Sequence, residues 1–450
     1  LHELVAKRVN NPRLSIPTLL HGISHDNRGS RKEFQAVESL LTQIIRYWNA
    51  VHFILQKTNR SLKNVFPDAP TDAWLYIITY LVHWEHQLPE ILLDSPFSLI
   101  LDPIKSRKYH RFAVQVAQFD WDKALVGKTA RECLSIKESM PTFIIDQLLS
   151  VLPFPRLQAE LHALNCDESD SQTTLRINKF TLGPDSLPTL LRNMEQNRIQ
   201  YQIDPHFPDL IHISRNDRKK IMRTDSYRRG WLLFQDKASL SVVACLDPQP
   251  QEVIWDMCAA PGMKSALIQQ HTAGLARLIS SELRPERTTM MAELLPKLKI
   301  PFTGILNADG INVPLRSECK FDRILLDAPC MGSGTFFSDP DIKSQQTPQF
   351  LDRNRFIQER LLKEALSRLT TGGILVYSTC SLYPEEGEYQ IQRLMRDPDF
   401  SAKIEFLELP KWVESPYSIP DLPTHGLGRL FPSLHHTQGF FIAKMRKKAD

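Results

Sequence analysis

Apolar residues in the first third of the chain recur at helical spacing. Phe34, Val37, Leu41, Ile44, Trp48 and Val51 fall at alternating steps of three and four, which predicts an apolar stripe on one helix of about five turns. A second helix is expected through Trp74, Ile77, Ile78 and Leu81, with Thr71, just after Pro70, as its N-cap. Strand patterns are nearly absent before residue 135, so this part reads as a small helical bundle. From about 140 to 250 helix and strand mix: Thr174 to Asn178 alternates like a half-buried strand, and Leu187 to Glu195 follows as a helix.

From 251 to about 400 the two patterns alternate. Strands are expected at Glu252 to Trp255, Ala276 to Ser280 and Gly304 to Leu306, with helices from Lys264, from Pro285 and over Phe350 to Leu369. Phe321 to Cys330, F-D-R-I-L-L-D-A-P-C, is a buried strand that Pro329 terminates, delivering Asp327 and Cys330 to its carboxyl end. The run from Gly373 ends likewise in Cys380. Two parallel strands ending in cysteines put both thiols on one rim, where open parallel sheets keep their sites. The fold class is therefore α/β, a doubly wound sheet with helices on both faces. Residues 409–436, rich in proline and histidine, read as a surface loop before a closing strand from Gly439 to Lys444.

Composition narrows the picture. A chain of 450 residues accommodates two or three domains, and 42% hydrophobic with 24% charged residues indicates a soluble globular protein. The longest apolar run, Ala73 to Val82, falls short of the ~18 residues of a membrane span. Leu1 at the start implies a native terminus that is missing or processed. Seven cysteines with no C-x-x-C spacing argue against a disulfide framework or a zinc ribbon and for a reducing compartment, the cytoplasm; no metal site is expected. The net charge of +4 says little, because clustering is what matters for nucleic acid. One cluster exists: Arg215, Arg218, Lys219, Lys220, Arg223, Arg228 and Arg229, with Tyr227 and Trp231 beside it. Such runs are usually solvated faces, but cations next to stacking rings are what an RNA strand requires.

Three strand ends in succession present small residues or acids. Asp256-Met-Cys-Ala-Ala-Pro-Gly-Met-Lys-Ser265 joins a strand to a helix, Glu282 ends the next strand where a ribose could be held, and Asp309 follows the third. The spacing is not G-x-G-x-x-G, which removes support for a nicotinamide oxidoreductase. The thiols suggest a specific chemistry. C5 of cytosine is a poor nucleophile until a thiolate adds to C6, and a carboxylate such as Asp327 can stabilise the charge that addition creates. The bland alternative is that both cysteines are buried apolar side chains.

The motifs D-x-C-A-A-P-G-x-K-S (256–265), D-A-P-C (327–330) followed by G-S-G-T, D-P-D-I-K (339–343), S-T-C-S (378–381) followed by P-E-E, and G-F-F-I-A-K resemble the Sun-type (Nol/Nop/Sun) RNA cytosine-5 methyltransferases. L-R-I-N (175–178) and F-Q-D-K-A-S (234–239) are similar to the region preceding that family's catalytic domain, and the helical first third resembles the NusB-like domain of its bacterial small-subunit rRNA member. The resemblance implies a NusB-like RNA-binding domain over 1–135, an α+β linker and RNA-binding region over 136–235, and a Rossmann-like catalytic domain over 236–450. Cys380 would attack, Cys330 would assist release, and Asp327 would hold the cytosine. Cys258, Ala259, Ala260, Pro261, Gly262, Met263, Lys264, Glu282, Arg287, Asp309 and Asp327 would line the S-adenosylmethionine pocket. Arg176, Arg218, Lys219, Lys220, Arg228 and Arg229 are the expected RNA contacts; the RNA would be ribosomal, with tRNA as the alternative. The protein is expected to be a monomer with no membrane association. Met263 stands where the family usually has glycine, Glu282 replaces Asp, Gly387 replaces a frequent Asn, and Gln438 replaces Asp. A competing reading is an RNA-binding ribosome-assembly factor whose methyltransferase fold is weakly active or inactive.

Overall fold

The computed structural model describes residues 1–11, 14–21, 31–62, 65–66, 68–69, 71–89, 103–165, 172–183, 186–301 and 304–448. Pro70 and Cys166 lie outside these. The chain forms two compact units, residues 1–149 with 338–346, and residues 150–337 with 347–450. The segment anticipated as a separate α+β region is thus divided at residue 149.

The first unit is helical among its described residues, around a core that includes Leu41, Ile44, Val51, Ile54, Leu75, Ile78 and Phe112. The expected five-turn helix is in fact two, Arg31–Arg46 and Trp48–Ser61, separated at Tyr47 (φ −104°, ψ 20°). The break seats the Tyr47 ring on Trp84, with centroids 4.9 Å apart, so aromatic packing overrides a continuous helical period. The helix Ala73–His83 is capped by Asp72, not by Thr71. The Asp72 carboxylate accepts from Trp74 N at 2.9 Å and from the Tyr109 hydroxyl at 2.7 Å, two bonds that one threonine oxygen serves less well. Residues 338–346 belong to this unit. Buried Arg8 and Asp341 pair at 2.7 Å, Ile16 N donates to Asp341 Oδ2 at 3.0 Å, and Lys343 Nζ donates to the Arg46 carbonyl at 3.1 Å. The D-P-D-I-K motif is therefore held among helices.

The second unit contains two sheets. In the smaller, β1 (Gln172–Ile177), β2 (Tyr201–Ile203), β3 (Leu210–Ser214) and β4 (Leu232–Phe234) run antiparallel in the order β2-β3-β1-β4. Residues 174–177 are all buried instead of alternating, because β1 is central and both its faces are covered. Leu175 and Ile177 pack with Leu190 and Met194, while Arg176 lies in register with Leu210 and Leu233, which join apolar clusters of the larger sheet's helices.

The larger sheet comprises β5 (Val253–Asp256), β6 (Arg277–Glu282), β7 (Gly304–Asn307), β8 (Phe321–Asp327), β9 (Leu369–Thr379), β10 (Ile404–Phe406), β11 (Leu427–Leu430) and β12 (Phe440–Lys447). Its order is β10-β12-β9-β8-β5-β6-β7, with β11 on β12; β5 to β9 are parallel and β12 is antiparallel to β9. Helices cover both faces, as the alternating strands imply. Ile324 and Leu326 pack with Leu361 and Leu362 of the helix Pro348–Arg368, and Leu325 packs oppositely with Val243 and Ile268. Residues 409–436 are not wholly a surface loop: β11 within them is buried at every position. Burial there comes from pairing with β12, a contact that local composition does not encode.

Candidate active site

The carboxyl ends of β5, β6, β8 and β9 converge on one rim. After β5 the chain turns through 257–262 into the helix Met263–His271. Gly262 has φ +98°, and a Cβ there would come within 2.9 Å of Met291 Cγ, so glycine is required by both conformation and space. Asp256 is buried. Its Oδ2 accepts from the Ser265 hydroxyl at 2.7 Å, while Oδ1 has no partner among the described residues. Burial, reinforced by Asp327 and Glu282 against the opposing Ser265 and Lys264, pushes its carboxyl up to about 7. Burial and the same acids push the Cys258 thiol well up.

Glu282 ends β6, nearly buried, accepting from Arg284 N at 2.9 Å and pairing with Arg287 at 3.2 Å. Arg287 also donates to the Ala260 carbonyl at 2.6 Å, tying the 257–262 turn to Glu282. Asp309 lies two residues beyond β7 and caps the short turn Gly310–Asn312 through Ile311 N at 2.9 Å. The Met263 side chain packs against the cluster of Leu233, Ala259, Met291 and Leu295, which accommodates a large residue where glycine is usual.

Asp327 ends β8 between two donors: Lys264 Nζ lies 2.5 Å from Oδ2, and the Ser378 hydroxyl donates to Oδ1 at 2.7 Å. Burial by itself would lower the Lys264 ammonium, but Asp327, with Asp256 and Cys380, outweighs it and the net shift is upward. The two half-buried sulfurs of Cys330 and Cys380 are 3.3 Å apart. The hydrogen bond to Cys380, then burial, then the charge of Cys380 and Glu386 push the Cys330 thiol well above its ordinary value, so Cys330 is a strongly proton-retaining member of the pair. The expectation that both thiols share a rim with Asp327 is met.

Sequence reasoning missed several supports of this rim. Glu386, buried, accepts from Met331 N at 3.0 Å and from Gln358 Nε2 at 3.0 Å, bracing the loop after Cys330. The P-E-E that follows S-T-C-S was the available signal. Gly334 N donates to the Cys380 carbonyl at 3.0 Å, and a Cβ on Gly334 would lie 2.0 Å from the Gly439 carbonyl, so this approach demands glycine.

Arg176 is a correction. It is fully buried, with no hydrogen-bond partner for its guanidinium among the described residues, and burial pulls it down to about 10; it cannot reach a phosphate at the surface. The other expected cations are exposed. Arg218 lies over the Phe234 ring at 4.4 Å and Arg229 over Trp231 at 5.5 Å, while Lys220 pairs with Asp217. Arg215 lies 4.3 Å over Phe337, so the basic run adjoins the loop that follows Cys330. Among the described residues no cluster of three metal-ligating side chains occurs, and no helix is long and apolar enough to cross a membrane.

Residues 243–446 match the family described as 16S rRNA methyltransferase RsmB/F. A probable ribosomal RNA small subunit methyltransferase B of Synechocystis sp. is 33% identical over 231 residues, 50% of this chain and 50% of that protein. A tRNA (cytosine(49)-C(5))-methyltransferase of Pyrococcus abyssi is 31% identical over 229 residues, 49% of this chain and 72% of that protein. A solved methyltransferase homolog from Pyrococcus horikoshii shares the fold with a TM-score of 0.61 at 27% identity, over 71% of this chain and 99% of that one. The chain spans about half the length, or less, of the first curated relatives it matches, 50% of one and 38% of two others. Since the matching stretch runs through the large sheet and contains both sulfurs and every carboxylate of the rim, the chain belongs to the family of RNA cytosine-C5 methyltransferases that these relatives represent.

Proposed function

We propose that this protein transfers a methyl group from S-adenosylmethionine to C5 of a cytosine in RNA. The observation that carries this reading is the pair of sulfurs 3.3 Å apart at the sheet rim, beside the Asp327 carboxylate. The Cys380 thiolate adds to C6 of the cytosine and makes C5 nucleophilic; Asp327, oriented by Ser378, holds the cytosine by its amino group, and the Lys264 ammonium paired with Asp327 offsets the negative charge that addition puts on the ring. S-adenosylmethionine, when bound, supplies the electrophilic methyl. The C5 proton then leaves, the C5–C6 double bond re-forms and the Cys380 sulfur departs with its electron pair. The C5 proton having passed to water, Cys330, which retains its own proton, is placed to protonate the departing thiolate and is then reprotonated from solvent.

The pocket's chemistry suits the cofactor. Asp256 Oδ1 is a buried carboxylate oxygen without a partner among the described residues, fitted to an ammonium group, and Glu282 is held at a strand end where a ribose diol could bind. The turn Cys258 to Lys264, with Arg287 and Asp309, completes the wall. The cytosine must be unpaired or flipped to reach the sulfurs, at a cost of a few kcal/mol that RNA contacts offset. Arg218, Lys219, Lys220, Arg228 and Arg229 make those contacts, without Arg176. Ribosomal RNA is the favoured substrate and tRNA the alternative, since relatives named for both are similar to this chain. The helical unit serves as a NusB-like RNA-docking module, and one copy, in the cytoplasm, supplies all the reacting groups.

Methyl incorporation from labelled S-adenosylmethionine into RNA tests this. Cys380→Ala abolishes incorporation, and Cys330→Ala accumulates an adduct of protein and RNA that survives denaturant. Reversed phenotypes would exchange the two roles, and an inactive wild-type protein would overturn the reading.

A further inference from the structure

The loop that follows the attacking sulfur is held by side chains from a distant segment. Arg429 Nη1 donates to the Ser381 carbonyl at 2.9 Å, the Tyr417 hydroxyl donates to the Leu382 carbonyl at 2.9 Å, and Arg429 Nη2 donates to the Tyr383 carbonyl at 3.3 Å. With Gly334 N on the Cys380 carbonyl, four consecutive carbonyls are occupied. Among the described residues, neither Arg429 nor Tyr417 hydrogen-bonds to either sulfur.

The clamp is itself rigidly built. Arg429 is fully buried and forms a fork with Glu388, Nε to Oε1 at 2.8 Å and Nη2 to Oε2 at 2.6 Å. Its guanidinium lies 4.0 Å over the Tyr417 ring and 5.3 Å from the Phe441 ring. Tyr417 N donates to the same Glu388 at 2.9 Å. Gly387 makes room for it: a Cβ there would fall 2.9 Å from Arg429 Nη2 and 2.8 Å from Phe441 Cγ.

We infer that Arg429 and Tyr417 are positioning residues for Cys380, fixing the backbone that follows it so that its sulfur stays beside Cys330 and Asp327. This rests on the reading of Cys380 as the nucleophile. Preorganisation of this kind acts on the chemical step, and small misplacements of a reacting group cost up to about 100-fold.

The test uses the full chain with Tyr417→Phe, which removes one hydroxyl and keeps the ring, and Arg429→Lys, which keeps the charge and loses the fork. Two quantities are measured: steady-state methylation, and the rate of iodoacetamide alkylation of Cys380 relative to exposed Cys319, by peptide mass spectrometry. Tyr417→Phe is expected to lower kcat about 10-fold, leaving KM for RNA and for S-adenosylmethionine within about twofold, and Arg429→Lys to lower it about 100-fold. The relative alkylation of Cys380 rises about threefold in both as the loop is released. An unchanged kcat and alkylation ratio in folded Tyr417→Phe would overturn the inference. A wild-type protein that methylates no RNA would overturn the proposed function instead, while the alkylation ratio would still decide whether the clamp holds the loop.

Discussion

The loop beyond Cys380 and the four-stranded sheet each bury an arginine completely, and the two could hardly differ more. At the loop, Arg429 has a carboxylate fork, two carbonyls and two aromatic rings, and although burial disfavours its charge, Glu388 and Tyr417 leave it raised. In the small sheet, Arg176 faces Leu210 and Leu233 across β1, has no hydrogen-bond partner among the described residues, and is drawn down to about 10 by burial against the weak support of Asp209. Burial of a charge is therefore no sign of a role by itself. The geometry of the partners decides whether a cation organises its surroundings or merely strains them.

That contrast can be broken by substitution, and the largest effect belongs to the paired cation. Arg429→Met leaves Glu388 buried and unpaired, and urea unfolding is expected to show a loss of roughly 3–5 kcal/mol. An equal loss in Arg176→Met would erase the distinction.

A buried carboxylate on the same rim sharpens the point through pH. Burial raises Glu386 to about 7 despite its bonds from Met331 N and Gln358, so the folded state holds its proton more tightly than the unfolded chain does. Its stability contribution is complete below the ordinary carboxylate range and is lost as pH rises through about 7. Asp256, raised to about the same value, acts in the same direction. Stability should fall between about pH 4 and 7, and Glu386→Gln should remove about half of that fall, roughly 3 kcal/mol. Thermal melting across that range checks it; a slope unchanged in the variant would show that partners, and not burial, govern Glu386.

The smallest effect is expected at Arg176. Arg176→Met should be neutral or stabilising by about 1 kcal/mol in urea unfolding, because it removes an unpaired buried charge. RNA affinity should not change, whereas Arg218→Ala should weaken binding and reduce the salt slope by about 1 in a filter-binding titration.

Much of the rim was legible in the chain. The apolar run ending in Asp327 and Cys330 and its counterpart ending in Cys380 are local patterns, and parallel strands necessarily bring such ends to one edge. The turn 257–262 was equally readable, because small residues between a strand and a helix are required by backbone geometry at that point. Boundaries set by packing were not: Tyr47 interrupts a period that predicts one helix, and Asp72 takes a cap that spacing assigned to Thr71.

The sequence by itself determined the parallel strands of the large sheet, that their carboxyl ends carry two thiols and a series of acids, and which chemistry those groups suit. Only the tertiary structure decided that Arg176 is inside, that Arg429 and Tyr417 reach the carbonyls after Cys380, and that Glu386 braces the loop opposite. Periodicity and turn chemistry are properties of neighbours along the chain. Whether a charge is solvated or enclosed depends on what a segment far away in sequence lays over it, and that is settled when the sheets and helices pack.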